Sequence, residues 1–169
     1  TMLFKKLLET SAGDRDSRLV LTFINNLKVD LERTLGTLAR VSTLHGYCQS
    51  LLRRKPGLRA GLSEDFRCVP EMASLIKRDW ECLRGEPTPG FVQEMRSLNL
   101  GSDIDFYFAR ANYYDAVDFD DSVLRTHLAL DNNRDQIDAL DLILIDEFQD
   151  FNRMEAAFIE LIASKNAIV

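Results

Sequence analysis

Hydrophobic positions along the chain recur with the spacing of helices in some stretches and as unbroken apolar runs in others. Leu3, Phe4, Leu7 and Leu8 fall on one face of a short helix, which the polar stretch SAGDRDSR at 11–18 breaks. LVLTF at 19–23 then reads as a buried strand. Leu27, Leu31 and Leu35 come next, four apart on a second helix face, with Gly36 placed to cap it. RVSTLH at 40–45 reads as another strand, and GYCQSLLRR at 46–54 as the helix leaving it. At KPGLRAGL the pattern changes, and from there to about residue 113 the signals are helical, with no strand. Met72, Leu75, Ile76, Trp80 and Leu83 form one amphipathic face, GEPTPG at 85–90 ends it, and Phe91, Met95 and Leu98 mark a further short helix. Strand and helix alternate again from LILID at 142–146. Asn152 and Glu155 have capping-box spacing, and Met154, Ala157, Phe158, Leu161 and Ile162 form the next helix face. The apolar AIV at 167–169 closes the chain.

Alternating strands and helices imply parallel strands joined by crossovers, hence an α/β fold. Its helical interruption predicts an inserted all-helical subdomain at 56–113, between a first part of the α/β domain at 1–55 and its return at 114–169.

Composition changes this picture little. A hydrophobic fraction of 46% suits a protein with a real core, and no apolar run approaches a bilayer span. With no signal-peptide pattern and three cysteines (Cys48, Cys68, Cys82) that form no Cys-x-x-Cys pair, an intracellular, reducing setting is expected, with no membrane partner. The two histidines exclude an all-histidine metal site. A formal charge of −6 argues against a protein that coats nucleic acid by bulk electrostatics, yet leaves room for a local groove of stacking groups.

The chemistry concentrates where the apolar run 142–145 meets Asp146 and Glu147, with Phe148, Gln149 and Asp150 after them. The acids sit between the carboxyl end of a strand and the start of a helix, where open α/β sheets bind ligands. An apolar strand ending in Asp-Glu has the form of the Walker B element of P-loop nucleotidases. There Asp146 would help hold the magnesium ion on the nucleotide phosphates, directly or through water. Glu147 would orient and deprotonate the attacking water, and Gln149 would lie near the γ-phosphate. The structural alternative is a polar turn whose acids favour the next helix N-terminus.

LILIDEFQD resembles motif II of the UvrD/Rep-type DNA helicases of superfamily one, Asp-Glu-x-Gln-Asp after an apolar strand. Three further stretches carry the resemblance in the right order. LVLTFINNLKVDLERTL is similar to motif Ia, VSTLHGYCQSLLRR to the Thr-Phe-His motif after it, and YDAVDFDDSVLR to the tract that returns the chain to the first domain. The resemblance implies a partial P-loop (RecA-like) parallel sheet with its helical insertion. It also implies a parent protein that couples ATP hydrolysis, with Mg2+, to movement along single-stranded DNA and to duplex unwinding.

On that resemblance Phe23 would stack on a base, while Thr22 and Asn25 would touch the DNA backbone, and Thr43 and His45 would line the same path. Read structurally, Phe23 ends a core strand and His45 is a satisfied polar residue. Asp118–Asp121 reads as helix capping rather than a metal site. The sequence departs from the family at Leu44, in place of phenylalanine, and at Ile24 and Asn26, in place of Thr and Lys. The last change removes a positive charge from the expected DNA path. No Gly-x-x-x-x-Gly-Lys-Ser/Thr loop occurs within the 169 residues. TMLFKKLLE resembles the family's segment directly after that loop, which would make Thr1 the last loop residue, a magnesium ligand. The expectation is that the 169 residues alone turn over little or no ATP. A second reading is a degenerate, non-enzymatic module that binds a protein partner through its helical insertion.

Overall fold

The computed structural model describes residues 2–169, and among these the side chain of Asn25 lies outside the description. In chain order the elements are α1 (Met2–Thr10), β1 (Arg18–Thr22), α2 (Asn25–Leu35), β2 (Arg40–Thr43), α3 (Leu44–Arg54), β3 (Arg67–Cys68) and α4 (Met72–Arg84). Then come α5 (Phe91–Ser97), α6 (Ile104–Tyr114), β4 (Ala116–Val117), α7 (Phe119–Asn132), β5 (Leu142–Ile145) and α8 (Arg153–Ala163).

β1 is the middle strand of a parallel sheet ordered β2-β1-β5, with Leu19 opposite both Arg40 and Ile143. All five residues of β1 are buried, as expected of a parallel strand covered on both faces. Alternation along the strands divides the core. Val20, Leu142 and Leu144 pack with Leu8 of α1 and with Leu31 and Leu35 of α2. Leu19, Leu21 and Ile143 face the opposite way, toward Leu51 of α3, Leu124 of α7 and Phe158 of α8. The expected final strand is a single parallel bridge. Ile143 N–H donates to Ala167 C=O at 2.8 Å and Val169 N–H to Ile143 C=O at 3.0 Å.

Two expectations change. The strand beginning at Arg40 stops at Thr43 rather than running to residue 45. The Thr43 hydroxyl accepts the Gly46 N–H at 3.1 Å, caps α3, and so draws Leu44 and His45 into the first helical turn. The stretch 56–113 also contains a strand, β3, which pairs in parallel with β4. Helices α4, α5 and α6 lie between these two strands. Trp80 of α4 stands edge-on to Phe91 and Phe106, at 5.7 and 5.0 Å between ring centres, and its indole N–H donates to Pro87 C=O at 3.2 Å. These rings belong to the same buried cluster as Leu19 and Leu124, so the core continues from the sheet into the helices.

The acids of 118–121 have three separate jobs. Asp118 caps α7 by accepting the Asp121 N–H at 2.8 Å and also takes the buried Tyr107 hydroxyl. Asp120 accepts two bonds from Arg96 of α5, at 2.9 and 3.1 Å. Asp121 pairs with Arg125 one turn along the helix, with both side chains buried. Capping therefore accounts for Asp118 alone.

Candidate nucleotide and nucleic-acid site

The sheet delivers the acidic loop. Asp146 N–H donates to Leu21 C=O at 2.9 Å, so pairing with β1 continues one residue past β5 and sets Asp146 at the carboxyl edge of the sheet. Its half-buried carboxyl is raised above the ordinary range by burial and by the charge of Glu147. Glu147 turns the chain out of the sheet in the left-handed region, at φ 56° and ψ 47°, a conformation that costs a non-glycine residue about 1–2 kcal/mol. Asp146 continues the strand, and exposed Glu147 accepts a bond from the Gln149 side-chain amide. A short 3-10 turn at Phe148–Asp150 comes next. Asn152 then starts α8 with a complete capping box, its side chain accepting from Glu155 N–H at 3.1 Å and its N–H donating to Glu155 at 2.8 Å.

Among the described residues no three His, Cys, Asp or Glu side chains come together as a metal cage. Asp146 has no cationic partner among them, and it sits beside a second carboxylate. An aspartate at the strand end followed by a glutamate fits magnesium, which takes one or two carboxylates and completes its shell with water and phosphate. Thr1 lies outside the described residues.

A row of rings runs away from this loop. Phe148 lies 6.2 Å from Phe151, Phe151 stands edge-on to Phe23 at 5.8 Å, Phe23 lies 6.2 Å from His45, and His45 lies 5.2 Å from Phe119. Phe23 is 39% exposed and Phe119 41% exposed, unusual for rings of this size. With His45 they line a cleft of about 420 Å³ to which Lys28 and Gln49 also contribute. The same three rings border a second cleft of about 300 Å³, which reaches Asp150 of the acidic loop. The two clefts put exposed aromatic faces and one lysine next to the sheet edge that carries the acids. Stacking surfaces of this kind hold unpaired bases without regard to sequence.

Residues 93–169 match the family model described as the UvrD/REP helicase N-terminal domain. Over those residues, a little under half of the chain, the sequence is similar to the UvrD/REP helicase family. No curated protein matches the chain. The UvrD/REP segment holds Asp146, Glu147, Gln149, Phe119 and Glu155, whereas Phe23, Thr43 and His45 come from the residues before it. The family is one of DNA helicases.

Of the residues singled out from the sequence, Asp146, Glu147 and Gln149 share the acidic loop. Phe23, Thr43 and His45 share the larger cleft. Thr22 is fully buried, and its hydroxyl accepts the Ile24 N–H at 3.4 Å, a contact that shapes the turn carrying Phe23. Phe119 was missed as a cleft residue. The signal was present, an aromatic at a helix start between acids that turn inward, but it is visible only once Asp118 and Asp121 are known to be buried. Glu155 was read as half of a capping box. Its second role, beside His45, joins residues 110 positions apart and left no local trace.

Proposed function

We propose that this chain carries the magnesium-holding and water-activating acids, and part of the single-stranded DNA path, of an ATP-dependent helicase motor. The observation that carries the reading is the aromatic cleft lying next to the Asp-Glu-x-Gln-Asp loop at the carboxyl edge of one parallel sheet. Asp146, fixed by the sheet, holds the metal ion. Magnesium, when bound, supplies charge neutralisation to the nucleotide phosphates. Glu147, exposed, takes the proton of the attacking water, and Gln149 orients Glu147 through its amide. Phe23 and Phe119 stack on successive bases, with His45 between them. Residues 1–55 and 114–169 form the RecA-like unit, and 56–113 its helical insertion.

The binding-module reading finds less support. Between residues 56 and 113 the exposed large apolar residues among those described are Leu83 and Tyr113, and Arg110 lies over the Tyr113 ring at 4.6 Å.

A labelled oligo(dT) titrated with the full chain tests the reading by anisotropy. Each lost stack removes about 1–3 kcal/mol, so Phe119→Ala and Phe23→Ala should each weaken binding by roughly 5- to 150-fold. Absence of binding, or binding that both variants leave untouched, would remove the cleft from the DNA path.

A further inference from the structure

Phe119 is the first residue of α7, and an acid stands on each side of it. Both acids are tied to the inserted helices. Asp118 takes the Tyr107 hydroxyl of α6. Asp120 takes the guanidinium of Arg96 in α5 as a fork, from Nε at 2.9 Å and from Nη2 at 3.1 Å. Two parallel bonds to one carboxylate fix orientation as well as distance. The ends of the fork are unequally covered: the Asp120 side chain is 10% exposed, whereas that of Arg96 is 53% exposed and borders the smaller cleft.

An arginine at the rim of a single-strand cleft invites a simpler role, a contact to phosphate. The surroundings oppose it. The cleft that Arg96 borders also holds Asp120, Asp150 and Glu155, three carboxylates to one cation. The larger cleft has Lys28 and no acid among its described lining residues. A phosphate is drawn to the Lys28 side of the rings and repelled from the Arg96 side.

We propose that Arg96 is a positioning residue for the stacking ring: through Asp120 it holds the first turn of α7, and with it the face of Phe119, in the cleft. The inference rests on the reading of the clefts as a single-strand path, and it brings the inserted helices into that path as the part that sets the ring.

Two substitutions break the fork with opposite effects on charge. Arg96→Met removes a cation from the rim and keeps an apolar stem, while Asp120→Asn removes an anion and keeps the shape. In a labelled oligo(dT) titration of the full chain, both should weaken binding about two- to tenfold, the lower part of the range for residues in contact. Neither should matter in a Phe119→Ala background, where the ring they place is gone. A role through charge predicts opposite signs instead. Arg96→Met would then bind more weakly, with a salt slope smaller by ~0.7 for one lost phosphate contact, and Asp120→Asn more tightly. That pattern, or losses that persist without the ring, would overturn the proposal.

A readout without nucleic acid separates this role from the cleft reading. In the full chain labelled with fluorophenylalanine, the fluorine NMR line that Phe119→Leu removes should shift or broaden in both variants. The line of Phe4, which packs with Val20 and Leu144 on the other face of the sheet, should stay in place. If the wild type binds no oligo(dT), the cleft reading itself fails. If the Phe119 line does not move, only the role given to Arg96 fails.

Discussion

The start of α7 presents Phe119 to the cleft, and it is anchored by the Asp121–Arg125 pair, so breaking that pair is a demanding trial of the fold. Asp121 is fully buried and Arg125 is 3% exposed, with two contacts of 3.2 Å between guanidinium and carboxylate. Arg125 also donates to Ala60 C=O at 3.0 Å and to the Asn112 side chain at 2.9 Å. Removing the Arg125 charge leaves the Asp121 carboxylate buried and unmatched, which costs about 3–5 kcal/mol. Arg125→Met additionally strands two acceptors at about 1–3 kcal/mol each, so it should be the worse variant. Asp121→Asn keeps one acceptor for Arg125 and removes a charge that burial disfavours, so it should cost much less than Arg125→Met. For a chain of this length the loss of the charge pair alone corresponds to a fall in Tm of about 6–20 °C, and the stranded acceptors of Arg125→Met lower it further. Urea unfolding monitored by circular dichroism would give the free energies of both single variants and of the double variant. The double should be more stable than the sum of the two losses by about 2 kcal/mol, because it leaves no lone charge. Additivity within about 0.5 kcal/mol would refute the account.

The same pair predicts a pH dependence. Burial, with the Asp118 charge adding to it, pushes the Asp121 carboxyl up to about 6 against the pull of Arg125. A carboxyl raised above its unfolded value favours the folded state at low pH. That contribution is lost as pH rises from about 4, the unfolded value, through about 6. Asp121→Asn should flatten this part of the stability profile.

Three more substitutions and labels have definite outcomes. Glu147→Gly should raise stability by about 1 kcal/mol in urea unfolding, because glycine accepts the left-handed turn; a destabilised variant would refute backbone strain at this position. Glu147→Gln should lower the Asp146 carboxyl titration measured by carbon NMR, since it removes the second of the two causes that raise it, and an unmoved titration would disprove the coupling. Among the three thiols, Cys82 is exposed, whereas Cys48 is fully buried and its thiol is pushed up by that burial. A thiol reagent should modify Cys82 in the native protein and Cys48 only in denaturant, which mass spectrometry of the labelled peptides would read; equal rates would contradict the packing around α3.

Structure was legible in the sequence wherever local and tertiary forces agree. The apolar runs at 19–22 and 142–145 have no alternative to a covered strand, and Asn152 with Glu155 formed the capping box that their spacing implied. β3 and β4 were invisible because a two-residue strand has no period, and the pair exists only through the meeting of distant segments. The β2 boundary was misplaced because Leu44 is buried in either conformation, so hydrophobicity could not say that the Thr43 hydroxyl would turn the chain into a helix. In the candidate site the acids were legible as a contiguous motif. Phe119 and the second role of Glu155 depend on neighbours far along the chain, and only packing brings those neighbours in.

The setting of Trp80 has a practical consequence. It is the one tryptophan of the chain, enclosed by Phe91 and Phe106, and it does not line either cleft of the Phe23–His45–Phe119 row. Its emission should report solvent entry into the α4–α6 layer and stay silent when nucleic acid occupies the cleft. One sample could then give two separate optical signals, intrinsic emission for the melting of the helical layer and a dye on the oligonucleotide for occupancy of the groove.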